Sequence, residues 1–156
     1  IPLNHLANAG LHAGEDFQVR EFDLLFGKHG DHVGGEREAA KALMRGEVDA
    51  CCMIDFNHMM FTADGTFDAG ATKILARTEP YDHCIFTTIS GIGDDSQLER
   101  FNALLLEMSY EDPAVRHLLD LEGLKQWKPG RTSGFGQLDE ACSRFGYIDE
   151  FVKSLS

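Results

Sequence analysis

The sequence predicts an α/β fold, a mainly parallel sheet flanked by helices. Three observations carry this expectation. Strand-like and helix-like segments alternate up to about residue 90. The run VDACCMIDF, residues 48–56, is apolar without alternation, as strands covered on both faces are. Past residue 91 the chain turns to capped amphipathic helices.

Taken in order, Leu3, Leu6 and Ala7 fall at helical spacing, and Gly10 follows as a C-terminal stop, so a short helix opens the chain. FQVREFDLLF is rich in strand formers and predicts a strand near 18–26, and the repeatedly broken GKHGDHVGG after it predicts a loop. From Gly35 a helix gathers Ala39, Ala40, Leu43 and Met44 on one side, with Arg37, Glu38, Lys41 and Arg45 largely on the other, and Gly46 ends it. The Cys-containing strand of residues 48–56 follows, then a short helix in NHMMFTADGTF with a stop at Gly65. TKILARTEP predicts a strand closed by Pro80, and HCIFTTIS, with its β-branched and aromatic residues, another.

After GIGDD, Ser96 and Glu99 fit a capping box, with Leu98, Phe101, Leu105 and Met108 as the apolar stripe. Asp112 before Pro113 marks a second helix start, because proline at the first helical position loses no needed N–H, and Gly123 stops that helix. The loop WKPGRTSGFG leads to a helix near 137–145 and a last one in YIDEFVKSL. No repeat or low-complexity tract interrupts the chain. The change of character divides it into an α/β part, residues 1–90, and a helical C-terminal segment, residues 91–156.

A chain of 156 residues can bury one good core, which favours a single domain or one lobe of something larger. Hydrophobic residues make up 43%, and no apolar run reaches the roughly 20 residues a membrane helix needs. Fourteen Lys and Arg against 26 Asp and Glu leave a formal charge of −12, which repels phosphate backbones and argues against a nucleic-acid partner. The start at Ile1, without Met or signal-peptide pattern, is expected of a processed product or excised piece. Cys51, Cys52, Cys84 and Cys142 show no CxxC spacing, and the adjacent pair is expected to act as small hydrophobes in a strand.

Chemistry in open α/β sheets gathers at strand ends and helix N-termini, where orphan N–H groups and the helix dipole converge. Two places fit: HVGGE, where Gly34 and Gly35 let backbone approach a ligand, and IDFNH, with Asp55 at the end of the apolar strand. Each has a plainer reading, the glycines as a change of direction and Asp55 as a helix N-cap. His29, Asp31 and His32 are metal-ligand types, but their spacing matches no zinc signature. GxSxG, a P-loop and a dinucleotide fingerprint are missing, so neither catalysis nor a cofactor is expected.

EREAAKALMRGEVDACCMID, ILARTEPYDHCIFTTI and SYEDPAVRHLLDLEGLKQWKPG, in that order, resemble the second half of a type 2 periplasmic binding protein. The match is to the phosphate and phosphonate group of ABC-transporter substrate-binding proteins, with RGEVDA and DPAVRHLLD carrying its most telling wording. The resemblance implies one lobe plus return segment of that fold, and roughly 100 further residues for the other lobe of a two-lobed binder. It implies ligand contacts at Gly34, Gly35, Glu36 and Asp55, with Tyr81 to His83 near an inter-lobe hinge.

The expected function is non-catalytic binding of a phosphonate-, phosphate- or zwitterion-like solute for ABC-type import. Its partners would be that solute and a membrane permease, in a periplasmic or extracytoplasmic setting, and a homodimer is compatible with it. Glu36 and Asp55 would repel a bare anion unless the solute also carries an amine or the acids are protonated. The rival readings are a ligand-sensing regulatory domain of the LysR type and a small metal-dependent enzyme built on His29, Asp31 and His32.

Overall fold

The computed structural model describes residues 1–24, 34–82, 85–91, 94–121 and 123–155. Its elements are α1 (Pro2–Asn8), α2 (Glu36–Met44), α3 (Asp55–Ala63), α4 (Asp95–Glu107), α5 (Pro113–Leu121), α6 (Gly136–Phe145) and α7 (Tyr147–Ser154), with a 3-10 turn at Ser133–Phe135 ahead of α6. The local signals place these helices well. Gly46 and Gly65 adopt φ of +69° and +80° just past α2 and α3, a conformation that costs glycine little. Pro113 opens α5, and Asp112 Oδ1 accepts from the Ala114 N–H at 2.8 Å. The α4 cap lies earlier than the capping-box reading: Asp94, not Ser96, is the N-cap, its Oδ1 accepting from the Ser96 N–H at 2.9 Å and the Ser96 hydroxyl at 2.7 Å.

The expected α/β fold with a mainly parallel sheet is overturned. Among the described residues no strand forms, and the only pairing is an isolated bridge between Ala13 and Phe17. Segments 48–54, 71–82 and 85–89 lie outside helices, yet no ladder joins them. Apolar, β-branched sequence disfavours helix, but a ladder also needs a neighbouring edge in register, and composition cannot supply that. The side chains follow: Leu75 and Phe86 are 76% and 64% exposed where a covered sheet would bury them. Cys52 is likewise exposed and Cys51 only half-buried, and Cys51, Cys52 and Cys142 are free thiols. Cys84 and the expected loop residues 27–33 lie outside the described residues.

The chain divides into two compact units, residues 1–79 with 138–156, and residues 80–137. In the first, α2 packs on α3 around Ala40, Phe61 and Phe67, with Leu43, Met44, Met53 and Met60 against them. Phe61 and Phe67 meet edge to face with centroids 6.2 Å apart. Also in this unit, α6 holds α1 through polar contacts: Arg144 Nη2 donates to Asn8 Oδ1 at 2.6 Å and Asn8 Nδ2 to Glu140 Oε1 at 3.2 Å. In the second unit, Phe86 lies between Phe101 and Trp127, with centroids at 5.3 and 5.2 Å, and Leu119 is buried.

Candidate functional site

The Cβ-less residues before α2 have an identifiable use. Gly35 is buried, and a Cβ built on it would run into the Phe22 carbonyl oxygen. A glycine there lets the backbone around Phe22 cross the start of α2. Gly34 precedes it, half-buried.

Glu36, the first residue of α2, reaches to the start of α3. Its Oε2 accepts from the Ile54 N–H at 3.0 Å and from Asn57 Nδ2 at 2.8 Å. Ile54 is the α3 N-cap, and its own N–H is the donor that a Glu or Gln at the third helical position takes in a capping box. That position is Asn57 here, and Glu36, 18 residues away in sequence, supplies the acceptor instead. A carboxylate at this end of a helix is favoured by the exposed N–H groups and the dipole. Asn57 is 2% exposed, so its amide needs a protein partner.

Asp55 follows as the first helical residue of α3, not its cap. It is exposed, and its Oδ1 accepts from the Phe56 N–H at 2.8 Å. The N-termini of α2 and α3 thus bring Gly34, Gly35, Glu36 and Asp55 to one corner of the first unit. Burial, reinforced by the charges of Cys52 and Glu36, pushes the Cys51 thiol up to about 11. Tyr81 belongs to the second unit, half-buried next to Asp82. His83 lies outside the described residues, as do His29, Asp31 and His32. Among the described residues no cluster of His, Cys, Asp and Glu is arranged to hold a metal.

Sequence patterning missed three groups here. Nothing in the local pattern marks Asn57. Arg37, expected on the solvent side of α2, instead turns across the core: its Nη1 donates to Asp64 Oδ2 at 2.7 Å and Thr66 Oγ1 at 2.6 Å, and its guanidinium lies 4.5 Å from the Phe61 ring centroid. The Thr66 hydroxyl first, then Arg37, hold the Asp64 carboxyl down at about 2. In the second unit, Asp82 pairs with Arg131. A cavity of about 260 Å³ lies apart from the expected residues, lined by Cys142, Ser143, Gly146, Ile148 and Asp149 at the α6–α7 junction.

Comparison with known families defines the class: a substrate-binding component of an ABC importer. The chain belongs to the family described as ABC transporter, phosphonate, periplasmic substrate-binding protein, whose model matches residues 1–135. This bears out the resemblance read from residues 36–55, 74–89 and 109–130. No curated protein and no solved structure matches the chain. Membership implies a small-molecule ligand, a permease partner and an extracytoplasmic location, in a family whose members are not themselves enzymes. Among the described residues no helix is long and apolar enough to cross a membrane. Nothing in the family match or among the described residues supports a homodimer.

Proposed function

We propose that the chain binds a small zwitterionic solute, an amine-bearing phosphonate in the first instance, and presents it for import. Gly34, Gly35, Glu36 and Asp55 are the proposed contacts in the first unit. The observation that carries this reading is the Glu36 carboxylate seated on the Ile54 N–H and Asn57 Nδ2. Those donors would otherwise serve an anionic head group at the α3 N-terminus. With Glu36 on them and Asp55 beside them, a bare dianion meets like charge, whereas an ammonium group gains two carboxylate neighbours. The phosphonate half comes from the family, the amine from this corner.

A thermal-shift series with phosphate, methylphosphonate, 2-aminoethylphosphonate and glycine betaine tests it. A ligand at a hundred times its Kd stabilises by about 2.7 kcal/mol, or about 5–10 °C in a chain of this size. The aminophosphonate is expected to give the largest shift. A larger shift with methylphosphonate or phosphate would overturn the proposed ligand class.

A further inference from the structure

We propose that Cys51 and Cys52 are a thiol–disulfide exchange site, closing reversibly into a disulfide between chain neighbours that draws the Ile54 N–H off Glu36. Both are free thiols, Cys52 exposed and Cys51 half-buried. They lie in the non-helical run between α2 and α3, and among the described residues no ladder or backbone hydrogen bond holds residues 50–53. The backbone can turn there without a ladder to break. Two anchors follow at once: Met53 packs against the cluster of Ala40, Phe61 and Phe67, and the Ile54 N–H donates to Glu36 Oε2 at 3.0 Å. The extracytoplasmic setting of the family is one in which disulfides form and persist.

Successive side chains of an extended segment leave on opposite sides, so the Cys51–Cys52 peptide must rotate to bring the two sulfurs together. Neighbouring Cα atoms are about 3.8 Å apart, short of the roughly 4.4–6.8 Å that most disulfides span. The bond is therefore strained and easily reduced, as labile and regulatory disulfides are. Its oxidant is a low-molecular-weight disulfide. The Cys52 thiolate attacks one sulfur of that disulfide, breaking its S–S bond and releasing one thiol. Cys51 then gives up its proton and attacks the Cys52 sulfur of the mixed disulfide, expelling the second thiol. Two electrons and two protons pass from the protein to the oxidant, which leaves as two thiols. The Cys51 thiol, pushed up to about 11, makes the second step the slower one. Rotation at Cys51–Cys52 is felt two residues on, where Ile54 sits on Glu36. An effect on the solute would rest on the proposed function; closure and release are tested without ligand.

The test exposes the whole folded chain to oxidised glutathione at about pH 8, alkylates the remaining thiols and maps the peptides by mass spectrometry. The expected product is a peptide carrying Cys51 and Cys52 that has lost two hydrogens, takes no alkylating label and regains both thiols with a reductant. Site-resolved amide exchange is expected to run about tenfold or more faster at Ile54 in the oxidised chain, while protection inside α6, in the same unit, stays unchanged. The Cys84→Ser/Cys142→Ser double variant should close like the parent, and Cys51→Ser should stop at a glutathione adduct on Cys52. Both thiols still labelled, an unresolved adduct in the parent, or linkage to Cys84 or Cys142 overturns the site. Unchanged exchange at Ile54 after closure overturns the link to Glu36. So does an equal loss of protection throughout α6, which would mark general unfolding.

Discussion

Replacing Glu36 by alanine removes an acceptor on which two elements depend. The lost contacts are those from the Ile54 N–H and Asn57 Nδ2. Hydrogen bonds to a charged group contribute about 1.5–3 kcal/mol each. The half-buried Ile54 N–H regains part of this from water, whereas the Asn57 amide, 2% exposed, regains little. The expected cost of Glu36→Ala is therefore about 2–4 kcal/mol. Glu36→Gln keeps an oxygen acceptor and loses the charge at the α3 N-terminus, so it should cost about 1 kcal/mol. Urea unfolding followed by circular dichroism reads both. With a slope of about 2 kcal/mol per M, the alanine midpoint falls by about 1–2 M and the glutamine midpoint by about 0.5 M. Asn57→Ala supplies the cycle: the Glu36→Ala/Asn57→Ala pair should cost about 1–2 kcal/mol less than the sum of the singles, because both remove one shared bond. Additive effects, or a Glu36→Ala variant within about 0.5 kcal/mol of the parent, would refute the role given to this carboxylate.

Gly35→Ala drives a methyl group into the Phe22 carbonyl and should destabilise by about 1–3 kcal/mol, while Gly130→Ala, with open space around it, stays within about 0.5 kcal/mol by the same unfolding assay. Asp64, held at about 2, lies below its unfolded value near 3.8, so its contribution is present above that value and is lost as pH falls from about 4 through 2. Thr66→Val should flatten that acid limb of the pH–stability curve; an unaltered limb would show that Asp64 does not shape it. Cys51, pushed to about 11, holds about one thiolate in a thousand at pH 8, so iodoacetamide should modify it more than tenfold more slowly than glutathione, as read by peptide mass spectrometry.

Much of the helical skeleton was legible because its signals are local. A helix start such as Asp112–Pro113 and a stop such as Gly65 are decided by hydrogen bonds and backbone angles within a few residues, so spacing alone exposes them. The same locality misplaced the α4 cap, since Asp94 and Ser96 both carry oxygens suited to it and only the backbone angles chose between them. Of the candidate site, sequence marked Gly34, Gly35, Glu36 and Asp55 but not why they meet. The Glu36–Ile54 bond spans 18 residues and Arg37–Asp64 spans 27, beyond any helical period.

By itself the sequence determined the family, through ordered wording across residues 36–130, and the positions of most helices, through caps, glycine stops and apolar stripes. Only the tertiary structure decided that the apolar segments around Cys51, Leu75 and Phe86 form no sheet among the described residues. It also decided that a glutamate from one helix caps another, and that Arg37 turns inward over Phe61. Both depend on which groups lie opposite one another in space, and a strand's composition specifies its own backbone without specifying its neighbour.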